Sequence, residues 1–186
     1  MKKLLALATA LTVVLLLSVG PAAAQTYPIA VDRNSVTLTY WPIGIFGVPT
    51  GTSATSAGIS YQFNPQWDAL IGYRSGPAAA ASLFTLGGRY HLRPPAPGWD
   101  VFGTLQYASP SPGTSYLMVG GGMVQTLAPG VKAYEVVTYA FLPGGAVIFP
   151  NLGVQYELSR QWSLVTGIDV SQGSGYLGVT FDFTTR

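Results

Sequence analysis

Residues 57–74 read AGISYQFNPQWDALIGYR, and this stretch decides the fold. Ala57, Ile59, Tyr61 and Phe63 alternate with Gly58, Ser60 and Gln62. Asn64-Pro65-Gln66 interrupts the alternation, and it resumes: Trp67, Ala69, Ile71 and Tyr73 fall on one face, Asp68 and Arg74 on the other. Successive side chains of a strand leave on opposite faces, so a period of two with a polar break is two strands and a turn. A helix would spread these apolar residues over a period of 3.6.

The same pattern continues outward from this hairpin. Trp99, Val101, Gly103 and Leu105 alternate with Asp100, Phe102, Thr104 and Gln106. Leu152, Val154, Tyr156 and Leu158 alternate with Gly153, Gln155 and Glu157, and Leu177, Val179, Phe181 and Phe183 with Gly178, Thr180 and Asp182. One series of turn signals comprises Asn64-Pro65-Gln66, Pro94 to Gly98, Ala128-Pro129-Gly130 and Ser159-Arg160-Gln161. The other comprises Gly44 to Ser53, Gly76 to Ala80, Ser109 to Thr114, Pro143 to Val147 and Ser171 to Ser174. Between them the spacing predicts ten strands, at about 34–43, 54–63, 67–75, 81–93, 99–108, 115–126, 131–142, 148–158, 162–170 and 175–184, with eight as the alternative count. Around Tyr134 to Tyr139 both faces are apolar enough to leave the register open, and Gly120-Gly121-Gly122 marks a bulge or a crowded inner wall.

The N-terminus reads as an address. Lys2 and Lys3 precede an apolar run from Leu4 to Val19, then Pro21 and the small residues Ala22-Ala23-Ala24. That is the layout of a signal peptide cleaved after Ala24, leaving residues 25–186 as the mature domain. Lys2 and Lys3 leave with it, so seven basic residues remain against seven acidic ones. Fourteen charges in the 162 mature residues is far below the roughly 25% of a soluble domain. A chain this apolar and this poor in charge is expected to face lipid. It has no basic stripe for nucleic acid and no cysteine for a disulfide or a thiolate metal site.

Lipid leaves two ways to satisfy a backbone, helices or a closed barrel. The best mature apolar stretch, Val136 to Phe149, is broken by Pro143-Gly144-Gly145, so it falls short of the ~20 residues that a spanning helix needs. The expected architecture is all-β: a closed, up-and-down, antiparallel transmembrane barrel. The signal peptide, the strand–turn–Trp hairpins at Trp67, Trp99 and Trp162, and the closing Leu177/Val179/Phe181/Phe183 strand resemble small, porin-like outer-membrane β-barrel proteins of bacteria. The chain departs from that group in ending on Thr184-Thr185-Arg186, where an aromatic residue is usual. The resemblance implies location in the outer membrane of a double-membraned cell, with its lipid and the barrel-insertion machinery as partners.

In this topology Trp67, Trp99, Trp162, Phe63 and Tyr90 form an aromatic belt at the periplasmic interface. Tyr73, Tyr107, Tyr139, Tyr40 and Tyr176 form one at the outer interface. Charges should turn to the lumen: Asp68, Arg74, Arg89, His91, Asp100, Glu135, Glu157, Asp169 and Asp182. Ser56, Gly58, Ser60 and Gly121 should leave room for water beside them. Such charges build either a structural ion-pair network or a selectivity ring, and their acidic excess would favour cations.

No enzyme, cofactor or metal site is expected. His91 is the only histidine and falls near the periplasmic end of its strand, beside Arg89 and Asp100. Barrel hydrolases work at the outer rim and need a histidine beside a nucleophile or carboxylate there. Gly47-Val48-Pro49-Thr50-Gly51-Thr52-Ser53 lacks the lysine of a phosphate loop. The alternative to a membrane scaffold or passive pore is a secreted, lipocalin-like barrel that holds an apolar ligand. That reading inverts the faces, with Ile59, Tyr61 and Phe63 inside and Ser60, Gln62 and Asp68 in water.

Overall fold

A computed structural model of the chain describes residues 34–41, 54–75, 82–92, 96–171 and 173–183. The proposed signal peptide, its cleavage site and the Gly47–Ser53 loop lie outside these residues. The described chain forms ten antiparallel strands: β1 (Ser35–Trp41), β2 (Ala54–Gln62), β3 (Trp67–Ser75), β4 (Ser82–Leu92) and β5 (Trp99–Ser111). The rest are β6 (Tyr116–Ala128), β7 (Val131–Leu142), β8 (Gly145–Glu157), β9 (Trp162–Asp169) and β10 (Ser174–Asp182). Each strand pairs with its sequence neighbour, and β1 pairs with β10 from Ser35↔Asp182 to Tyr40↔Leu177, which closes the barrel. Closure leaves no sheet edge with unpaired N–H and C=O groups. No described helix is long and apolar enough to cross a membrane.

Alternation sets the two faces. The outer wall carries Leu38, Tyr40, Ile59, Tyr61, Ile71, Tyr73, Leu86, Leu105, Leu117, Val119, Tyr139, Leu164 and Leu177, all substantially exposed. The inner wall carries Ser35, Thr37, Thr39, Ser56, Ser60, Asp68, Arg74, Thr85, Arg89, His91, Thr104, Gln106 and Gln155, all buried. This is the reverse of a soluble protein's polarity, and it follows from the parity of residues 57–74: Ile59 pairs with Ile71 on the outside, Ser60 with Leu70 on the inside. It is also the reverse of the lipocalin-like alternative.

The barrel is not uniform around its circumference. β5 to β8 are 12 or 13 residues long, whereas β1 and β9 have 7 and 8. The β8–β9 ladder ends at Asn151↔Asp169, so β8 continues toward its loop paired with β7 alone. Pro150 sits just past that ladder, where a residue without an N–H interrupts least. Strands β5, β6 and β8 extend beyond the predicted limits because β-pairing runs close to the turns: β7 and β8 are joined by Pro143-Gly144 alone. Gly144 has φ 108°, a value that suits glycine.

Two register expectations need correction. In β6, Gly121 pairs with Gly103 and Val137 on the outer face, while Gly120 and Gly122 face inward. Those two crowd against lumen side chains: a Cβ on Gly120 would overlap the Thr104 hydroxyl, and one on Gly122 the Phe102 ring. The bulge falls instead between Thr126 and Ala128, leaving Leu127 as the extra residue. In β7, Tyr134, Val136, Thr138 and Ala140 are the buried set, so Glu135 faces outward, paired with Met123 and Leu152. Turning Glu135 inward would expel Tyr134 and Val136 from the core.

Candidate functional site

The lumen is the candidate site, and its side chains fall in three zones. At the end bearing Trp67 and Trp99, β2 to β5 bring together Ser60, Asp68, Arg89, His91 and Asp100. Arg89 pairs with Asp68 because the β3–β4 register places them opposite one another. Its Nε and Nη2 donate to Asp68 Oδ2 at 2.8 and 2.5 Å, and Nη2 also donates to Ser60 Oγ at 2.9 Å. His91 bridges two carboxylates, with Nε2 2.7 Å from Asp68 Oδ2 and Nδ1 2.8 Å from Asp100 Oδ1. A doubly protonated ring satisfies both contacts, and two cations then balance two carboxylates. Asp68 and Arg89 are fully buried, while the Asp100 side chain is 34% exposed toward the mouth. The Arg89 guanidinium lies 5.2 Å from the centroid of Phe102, which roofs the cluster.

The middle zone is aromatic and aliphatic. Trp41, Ala54, Leu70, Phe102, Val124, Tyr134, Val136, Val165 and Tyr176 form one buried cluster. The Tyr134 hydroxyl meets that of Tyr176 across three strand spacings, and Tyr176 Oη donates to Asn151 Oδ1 at 2.8 Å. Trp41 stacks tilted on Tyr176 at 4.6 Å, donates from Nε1 to Ser56 Oγ at 3.2 Å, and lies 4.5 Å under the Arg74 guanidinium. Asp169, fully buried on β9, accepts from the Ser171 backbone N–H at 3.0 Å and hydroxyl at 2.6 Å, and it attracts Arg74 electrostatically. The outermost zone is apolar: Leu83, Ala108, Tyr116, Met118, Ala140 and Phe149, with Leu142 and Val147 packed against them.

One flank remains small and polar. Thr37 hydrogen-bonds Thr180 at 2.9 Å, and Thr39 bonds Ser56 at 2.5 Å. These hydroxyls line β10, β1 and β2.

The charged residues singled out in the sequence therefore separate into groups. Asp68, Arg89, His91 and Asp100 form one network, and Arg74, over the Trp41 ring, is attracted by Asp169. Glu157 sits at the rim, 3.6 Å from Lys132 Nζ, and Asp182 occupies an inward position opposite Ser35. Glu135 is on the outer wall, as above. Trp67, Trp162, Tyr73, Tyr107 and Tyr139 are exposed on the outer face, and Trp99 has the same parity at half-burial. Tyr176 is corrected from the outer belt to the lumen, where it is 2% exposed. The residues that sequence reasoning missed are Tyr134, Tyr176 and Asn151. The available signal was Gly153 and Gly167, two bare positions on neighbouring inner walls. No group of three or more metal-ligating side chains occurs among the described residues.

The fold and the lumen define a class: a closed, ten-stranded, up-and-down barrel with an apolar outside and a charged, side-chain-filled inside. No protein-family model matches the chain, and no curated protein matches it. Among solved structures it is similar to a porin, KdgM, with TM-score 0.49, 14% identity, and coverage of 80% of this chain and 99% of that one. A de novo designed transmembrane barrel, TMB2.3, matches with TM-score 0.46 and 14% identity over 81% of this chain and 94% of that one. A larger porin matches at TM-score 0.35 and 15% identity, over 82% of this chain and 59% of its own.

Proposed function

We propose that the mature chain is an integral outer-membrane β-barrel that acts as a closed scaffold. The observation that carries the closed state is the middle cluster of the lumen. Its nine residues come from eight of the ten strands and none is more than 8% exposed. A passive channel of this strand number would need a continuous gap at that level, and rings from Trp41, Phe102, Tyr134 and Tyr176 occupy it instead.

Membrane insertion is supported by the outer wall. Among the described residues, twenty-six large apolar side chains stand exposed around the circumference, far more than the few hundred Å² of contiguous apolar surface a soluble monomer tolerates. Residues 1–24 supply the export signal this reading needs, with a mature N-terminus at Gln25. Fractionation tests the assignment: the protein should stay in urea-washed outer membranes and its gel mobility should shift on boiling. Recovery in the detergent-free periplasm would overturn it, as the lipocalin-like reading requires.

A second reading, a small passive pore favouring cations, rests on the hydroxyl-lined flank of Thr37, Thr39, Ser56 and Thr180. It also draws on an inner wall with five carboxylates, Asp68, Asp100, Glu157, Asp169 and Asp182, against Arg74, Arg89, Lys132 and the doubly protonated His91. Planar-bilayer recording separates the two readings. The scaffold gives no steps, and the pore gives cation-selective ones.

A further inference from the structure

The outer wall carries more than one recess: beside β1, β2 and β10 the Thr55 hydroxyl is already bonded to Ser75, whereas the recess on β6 to β9 holds polar side chains without such a partner. Two adjacent outward rows cross the β6 to β9 recess. One runs Trp99–Gln125–Ala133–Val154–Thr166, the other Val101–Met123–Glu135–Leu152–Ile168. They enclose a groove of about 400 Å³. Glu135 and Gln125 both line it, and neither side chain makes a hydrogen bond or ion pair within the described chain. Ala133 keeps its floor low, whereas Leu105, Val119 and Tyr139 nearby stand out as exposed ridges.

In a barrel embedded as proposed above, this region sits at hydrocarbon depth. Glu135 is the fifth residue of β7, and a strand tilted about 40° advances roughly 2.5 Å per residue along the membrane normal, so the carboxylate lies about 10 Å inside the turn. Lipid tails offer neither a donor for Glu135 nor an acceptor for the Gln125 amide, and each unpaired group there is costly. A lipid headgroup cannot stay in the headgroup layer and reach this depth.

We propose that a second copy of this chain covers the groove. The groove is self-complementary, holding one free acceptor and one free donor. Gln125 pairs with Ala133, and Glu135 lies two residues further along β7, an offset that two long side chains can span across an interface. A two-fold axis along the membrane normal, passing between β6 and β7, sets Glu135 against Gln125 of the partner subunit and repeats the contact in reverse. That is the geometry an isologous dimer requires. The low floor at Ala133 lets the two walls approach closely, as small residues do between membrane helices. A cationic partner would satisfy Glu135 but leave the Gln125 amide unused, and the outward face of the described strands here carries no Lys or Arg.

The inference rests on the membrane reading, and the experiment separates the two. The chain has no cysteine, so single cysteines report contacts cleanly. Ala133→Cys lies in the groove and Ile71→Cys on the far wall, on β3. Both are expressed in cells, and urea-washed outer membranes are oxidised and run without reductant. Ala133→Cys should give a band at twice the chain mass, and Ile71→Cys should not. In mild detergent, sedimentation of Glu135→Leu and Gln125→Leu, each checked for the boiling shift, should show dimer dissociation constants raised about tenfold or more, the loss expected for a hydrogen bond to a charged group. Absence from the washed membranes would overturn the membrane reading itself. Presence there without the doubled band, a cross-link to a chain of another mass, or a Glu135→Leu variant that dimerises as wild type would each overturn the dimer alone.

Discussion

Tyr134 and Tyr176 stand at the two ends of one row of the inner wall, with Gly153 and Gly167 between them, and their hydroxyls meet over the two glycines. A Cβ on Gly153 would overlap the Tyr134 hydroxyl, and one on Gly167 that of Tyr176. The rings lie flat on the bare wall because the wall is bare there. Four residues on four neighbouring strands thus fix the registers of β7, β8, β9 and β10 at once.

That row predicts an ordering of stabilities. Tyr134→Phe removes one hydrogen bond while Tyr176 keeps Asn151, and should cost about 1 kcal/mol. Gly167→Val forces Tyr176 off the wall and should cost about 1–3 kcal/mol. Urea titrations of folding into lipid vesicles measure both. A Gly167→Val variant as stable as wild type would show that the glycines do not seat the rings.

The Asp68–Arg89 pair predicts a larger loss. Arg89→Leu leaves His91 as the one cation bonded to buried Asp68 and should cost roughly 3–5 kcal/mol. Arg89→Lys should cost less but remain measurable, since an ammonium on a shorter reach cannot reproduce the fork that spans Asp68 Oδ2 and Ser60 Oγ. Equal stability of the leucine and lysine variants in the same vesicle assay would mean that hydrogen-bond geometry is irrelevant there.

Lipid exposure predicts an asymmetry between neighbours in sequence. Ile71 is outward at the middle of β3, so Ile71→Arg should destabilise insertion by roughly 2–4 kcal/mol. Val101→Arg, on the ladder row that carries Glu135, should cost a similar amount. Gly72→Ser and Thr104→Ser, which face the lumen, should be mild. Arginine variants that fold as well as wild type would reverse the inside–outside assignment.

These predictions also mark what the sequence could reveal. Strand number and the faces of β2, β3 and β10 were legible because one face is apolar and the other is Gly, Ser, Thr or Asp. The face of β7 was not, because Tyr134 to Tyr139 is apolar on both sides and only the fit of the Tyr134 ring over Gly153 selects it for the interior. Tyr176 was misplaced for a related reason. An aromatic residue near a strand end suits an interfacial belt equally well, and the glycine opposite it lies on another strand. The pairing of Asp68 with Arg89 needed a register that alternation leaves free.

The closed lumen leads to the final prediction. If Tyr134 and Tyr176 are the bar across the barrel, the wild type should show no steps in a planar bilayer, and Tyr134→Ala/Tyr176→Ala should open a path. That path would run along the Thr37, Thr39 and Thr180 hydroxyls and past Asp169. A low-dielectric wall with more carboxylates than cations raises the local cation concentration, so the steps of the double variant should be cation-selective. Adding Asp169→Asn to the double variant should weaken that selectivity. Steps in the wild type would favour the pore over the scaffold, whereas anion-selective steps in the wild type or the double variant would contradict the placement of the inner charges, because Arg74, Arg89, Lys132 and the doubly protonated His91 are outnumbered by the five inward carboxylates.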